Sequence, residues 1–136
     1  MPRRKPEPMP IILPLSVLRG ACQEQQAIVK REWPNGIPLT AKTARRSIEL
    51  ELNIDWFAEK FLPPAALAEY DRVIDAAWEE YDRVTNAAWV RRLLYTGRAS
   101  AQAKYTRVVT TAETEFNRVK AFALLKLLIK NAKGKK

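Results

Sequence analysis

An eleven-residue unit repeated in tandem constrains this chain more than any other feature. Tyr70-Asp71-Arg72-Val73 recurs as Tyr81-Asp82-Arg83-Val84, and Ala76-Ala77-Trp78 recurs as Ala87-Ala88-Trp89, so seven of nine aligned positions are identical. A weaker pair follows at the same spacing, Tyr105-Thr106-Arg107-Val108 and Phe116-Asn117-Arg118-Val119. Eleven residues span almost three α-helical turns, and equivalent side chains drift by only about 20° per repeat. Both segments are therefore expected to be long helices with one persistent apolar stripe. On the first, that stripe holds Tyr70, Val73, Ile74, Ala77, Tyr81, Val84, Ala88 and Tyr95, flanked by Trp78 and Trp89. On the second it holds Tyr105, Val108, Val109, Ala112, Phe116, Val119 and Ala123.

The register breaks between the pairs, since Tyr81 and Tyr105 stand 24 residues apart. Gly97 lies in that gap and suits a left-handed position just past a helix end. The expected arrangement is an antiparallel helical hairpin with arms of about 30 residues, some 45 Å long. The alternative is one continuous helix through Gly97, because a lone helical glycine costs only about 1 kcal/mol.

The repeat also raises a functional reading, since tyrosine and arginine at fixed spacing can stack on bases and hold phosphates. Its geometry favours packing instead. Tyrosine and valine fall on the stripe, whereas Arg72 and Arg83 fall on the far face beside Asp75 and Glu79, where Glu79 and Arg83 are expected to pair.

Upstream, five prolines among residues 1–14, with Arg3, Arg4 and Lys5, block helix and central strand and predict an extended basic arm. Gly20-Ala21-Cys22 has the look of a lipoprotein cleavage site, but Arg19 and the prolines at 10 and 14 spoil the apolar segment it needs. Residues 15–62 read as a three-helix head. Ser16 caps a helix running to about Trp33, Pro34-Asn35-Gly36 turns, Thr40 caps a helix to about Leu52, and Asn53 or Asp55 caps a third. Pro63-Pro64 closes the head, the hairpin covers 65–131, and 132–136 form a basic tail. The fold class is all-α.

These tandem units, Ala68-Glu69-Tyr70-Asp71-Arg72-Val73 and the copy at Tyr81, stand behind Pro34-Asn35-Gly36, Asp55-Trp56 and Pro63-Pro64. In this the chain resembles uncharacterised phage and bacterial mobile-element proteins that carry alanine-led eleven-residue Tyr-x-Arg-Val repeats. The resemblance covers roughly residues 20–90 and implies a phage-related origin without an activity. The repeats here are few and are interrupted after Trp89.

The residue inventory disfavours enzymatic chemistry. There is no histidine, one cysteine (Cys22) and no phosphate-binding glycine loop, so no metal, cofactor or small-molecule substrate is inferred. The single cysteine also points to a reducing compartment: the host cytoplasm or a virion, not the secreted fraction. The net charge of +9 is uneven, about +3 over residues 1–64, −2 over 65–96 and +8 over 97–136. That asymmetry suggests an acidic partner for the C-terminal third.

Ala121 to Ile129 is apolar nearly all round and far too short to span a bilayer. Phe122, Leu124, Leu125, Leu128 and Ile129 are therefore the expected partner interface, unless they dock into the head. Membrane-surface binding is the less favoured use of this segment. Arg3, Arg4, Lys5, Lys126, Lys130, Lys133, Lys135 and Lys136 are the candidate phosphate contacts. Lys42, Arg45 and Arg46 form a weak candidate for the reading edge of a helix-turn-helix. The function expected is non-enzymatic helical interaction or assembly, as a phage-derived structural or accessory component able to self-associate. The alternative is binding of a nucleic-acid backbone by the basic C-terminal third.

Overall fold

Which elements form is decided by caps, glycines and prolines; how they assemble is decided by the two long helices. The computed structural model describes residues 11–94 and 99–134. In chain order come β1 (Ile12–Leu13), a 3-10 turn (Leu15–Leu18), α1 (Gln23–Glu32), β2 (Ile37–Pro38), α2 (Ala41–Glu49), α3 (Ile54–Phe61), α4 (Pro64–Leu94) and α5 (Ala99–Gly134).

The first head helix starts later than the sequence suggests. Ser16 lies inside the 3-10 turn, Gly20 adopts φ +94°, and α1 begins at Gln23 behind Cys22. A left-handed glycine cannot continue a right-handed helix, so the apolar run from Leu15 splits into two pieces. Leu18 and Val29 nevertheless reach the core and are almost wholly buried.

The end of the expected arm is also structured. Ile12 and Leu13 pair antiparallel with Pro38 and Ile37, adding a two-stranded ribbon to an all-α fold. Gly36 makes this possible. It takes φ +108° in the turn after Trp33, and a Cβ there would sit 2.6 Å from Ile12 Cγ2 and 2.9 Å from the Leu13 carbonyl oxygen.

Thr40 caps α2 as expected, its Oγ1 accepting from the Thr43 N–H at 3.2 Å. The helix stops at Glu49 instead of Leu52, with Glu51 in the left-handed region at φ +55°. Asn53 is the cap of α3, accepting from the Trp56 N–H at 3.1 Å. Pro64 opens α4, where its missing N–H has no helical partner to lose.

α4 and α5 are 31 and 36 residues long and form the expected hairpin. Trp78 meets Phe116 and Trp89 meets Tyr105, so numbering rises along one helix as it falls along the other. That order excludes the continuous rod. Gly97, where the reversal is expected, and Tyr95 lie outside the described residues.

Head and hairpin share one core. Leu18, Val29, Phe57 and Ala58 belong to the same buried cluster as Ala66, Tyr70, Ala121, Leu124 and Leu127. Trp56, Phe57 and Phe61 add edge-on and tilted ring contacts at 5.1–5.9 Å. Among the described residues, no helix is long and apolar enough to cross a membrane.

Candidate functional site

The leucine-rich end of α5 is not left for a partner. Leu124 and Leu127 are buried, and Phe122, Leu125 and Leu128 pack against the same core; Ile129 is half-buried. The expected partner interface at Phe122, Leu124, Leu125, Leu128 and Ile129 is corrected accordingly: the head covers this end. An all-round apolar helix needs cover on more than one side, and α4 supplies only one of them. α2 and α3 supply the rest, through residues such as Ala44 and Phe57 that line a small cleft with Leu124 and Leu128.

Asp55 fastens this junction. Its carboxylate accepts from the Tyr70 hydroxyl at 2.8 Å and from Lys120 Nζ at 2.7 Å, joining α3, α4 and α5. Burial, reinforced by the hydrogen bond to Asp55, raises the Tyr70 phenol well above its ordinary range. Asp55 is thus a tertiary acceptor, while Asn53 does the capping.

Farther from the head the hairpin stands alone. Tyr81, Val84, Tyr105, Val108, Phe116 and Val119 all face the opposite helix, yet each is only half-buried. Tyr70 is the exception at 2% exposed, because the head lies over it. Val73, the next stripe position, is 37% exposed. A helix buries one stripe fully only when flanking elements close both sides of the seam, and here neither side is closed.

The two open sides differ. On one, Trp78 lies over Tyr81 at 5.2 Å and meets Phe116 edge-on at 5.7 Å, yet stays 53% exposed. Trp89 meets Tyr105 at 5.8 Å, with the Arg92 guanidinium 4.8 Å from its ring. Arg92 also donates to Gln102 Oε1 at 2.6 Å, tying the two helices near the tip.

On the other side runs an apolar groove of about 830 Å3, floored by Val73, Ala77, Val84, Val108, Ala112 and Val119. Glu80 and Glu115 stand along it. It continues toward the tip as a cleft of about 230 Å3 over Ala87, Ala88 and Ala101, where the charged rim changes sign to Arg83, Arg91, Arg92 and Lys104. Arg107 lies between the two stretches. Arg83 pairs with Glu80 at 2.6 Å, one residue from the expected Glu79, and this bond lowers the Glu80 carboxyl below its ordinary range.

The remaining basic candidates scatter. Lys126 is exposed, and Lys130 is exposed with Nζ 3.8 Å from Glu69. Arg3, Arg4, Lys5, Lys135 and Lys136, and the side chain of Lys133, lie outside the described residues. On α2, Arg46 is held by Glu32 at 2.7 Å and Glu49 at 2.8 Å, so one of three helix-turn-helix candidates already has carboxylate partners.

The structure also brings together residues that look like mere spacers in the sequence. Ala76 and Ala87 are equivalent positions of the two repeat copies, and with Ala101 and Ala112 they line the groove and tip cleft. The repeat carries the signal for them, as small residues one step off the stripe. No protein-family model, curated protein or solved structure matches the chain.

Proposed function

We propose that this chain is a non-enzymatic helical interaction and assembly module whose working surface is the outer hairpin. One observation carries the reading: two long helices pack along a single seam while the apolar side chains beside it stay open to solvent. Trp78, Trp89 and Leu94 are 53%, 43% and 74% exposed on α4 alone. Large exposed apolar side chains grouped on one part of a protein mark interaction surfaces. The chain's resemblance to phage and mobile-element proteins supports a phage-derived structural or accessory setting.

Site-specific photo-crosslinking in the cells that naturally produce the protein tests this. A photoreactive residue at Ala87, in the tip cleft, is expected to yield defined protein adducts, and one at exposed Asp75 on the far face is not. The mass of the adduct separates a second copy from another protein. Absence of any adduct from Ala87, Val84 and Trp89 alike overturns the interaction reading.

A further inference from the structure

We infer that the groove face of the hairpin binds a second copy of this chain, antiparallel, to complete a four-helix bundle. The inference rests on the interaction reading above and adds the identity of the occupant and its register.

Three features of the groove face point to the same symmetry. The first is charge. In a two-fold pair of antiparallel hairpins, α4 lies over the other copy's α4 and α5 over its α5. Glu115 and Arg107 both line the groove, eight residues apart on α5, with Thr111 midway. A two-fold axis at Thr111 therefore sets Glu115 of each copy opposite Arg107 of the other. Thr111 and Val84 line the same stretch, so the axis crosses α4 near Val84. Neither Glu115 nor Arg107 has an ion-pair partner among the described residues.

The second feature is apolar exposure. Val73 and Leu94 are open at opposite ends of α4, 37% and 74% exposed. Their midpoint also falls beside Val84. The axis chosen by charge thus places Leu94 of one copy over Val73 of the other. Between them run Ala76, Ala77, Ala87 and Ala88, whose small side chains let two helices approach closely.

The third is size and clearance. From Val73 to Leu94 the helix rises about 30 Å, and two helices side by side are about 20 Å across. The contact is roughly 600 Å2 per copy, or about 1,200 Å2 in all, at the lower edge of specific interfaces. A dimer of micromolar strength is expected. In this register the two heads lie at opposite ends of the pair, so they do not meet.

Sedimentation velocity across about 1–300 μM, bracketing dimers of this size, reads the equilibrium. The wild type is expected to pass from monomer to dimer. Glu115→Lys alone and Arg107→Glu alone each set like charges opposite one another, and each is expected to weaken the dimer at least tenfold. Both residues are exposed, and unchanged circular dichroism confirms that the variants fold. A mixture of the two variants is decisive. In the heterodimer the introduced lysine of one chain faces the introduced glutamate of the other, while the native Arg107 and Glu115 form the second pair, so association should return. Failure of the mixture to associate, or a wild type that stays monomeric throughout, overturns the inference. A monomer that binds duplex nucleic acid through Lys104 and Arg107 overturns it as well. If Ala87 still crosslinks a different protein in cells, the interaction reading survives and only the self-partner falls.

Discussion

Tyr70 and Tyr81 occupy the same position in the two repeat copies and have different fates. Tyr70 is 2% exposed and donates to Asp55, while Tyr81 is half-buried against Phe116. For Tyr70→Phe the ring and its packing survive, and only the hydrogen bond is lost. Asp55 keeps Lys120 and is 53% exposed, so water replaces the lost donor and the expected cost is about 1 kcal/mol. Urea unfolding checks this value. The pH dependence has a definite sign. The folded state holds the Tyr70 phenol above its ordinary value, so unfolding releases its proton in the alkaline range. Stability from this group is full below about pH 10 and falls as pH rises beyond it. Tyr70→Phe should flatten that alkaline decline, and an unchanged decline would mean another group causes it.

At the scale of elements, the two ends of the hairpin should respond oppositely to the same chemistry. Leu124→Ala opens a cavity where α5 meets the head and is expected to cost about 3 kcal/mol of folding stability. Leu94→Ala removes a larger share of exposed apolar surface, yet the folded monomer should lose no more than about 0.5 kcal/mol. Denaturant titration of both variants makes the comparison; equal losses would place Leu94 in the fold's core and contradict its exposure. Helix type and the cap at Thr40 were legible from period and capping residues, because those signals are local. The sequence prefers the hairpin to a continuous helix, and it narrows the cap of α3 to Asn53 or Asp55. The breaks at Gly20 and Glu51 were not legible. Gly20 can take either hand, so its presence alone did not place a break, and Glu51 is a non-glycine residue at φ +55° with no local signal for that conformation.

At the scale of the molecule, the head cannot be separated from the hairpin's far end. Ala121, Leu124 and Leu127 come from late in the chain, yet they sit in the cluster built around Leu18, Val29 and Phe57. A chain ending after Leu94 keeps every head helix but exposes that cluster. It is expected to lose the near-ultraviolet circular dichroism of Trp33 and Trp56 while retaining much of its helical far-ultraviolet signal. A truncated protein with a sharp native-like near-ultraviolet spectrum and cooperative melting would show that the head folds alone. The long sequence separation of these contacts also explains why residues 15–62 look self-sufficient in the sequence: three amphipathic helices suggest a bundle, and nothing local says that a fifth helix fills its centre.

The tandem unit at Tyr70 and Tyr81 determined by itself that the second half of the chain is long helix, which face of it is apolar, and that tyrosine and valine pack while arginine stays outside. Periodicity fixes these because equivalent positions of an eleven-residue repeat keep one angular setting on a helix. The hairpin itself was decided only by the contacts between its arms. Only the tertiary structure decided which apolar surface is used internally and which is left open. The leucine-rich end after Ala121 had the stronger appearance of a binding surface, but the head covers it, and the repeat's valines and alanines remain beside an open seam. Burial of this kind depends on which elements surround a face, and the hairpin has a head at one end alone.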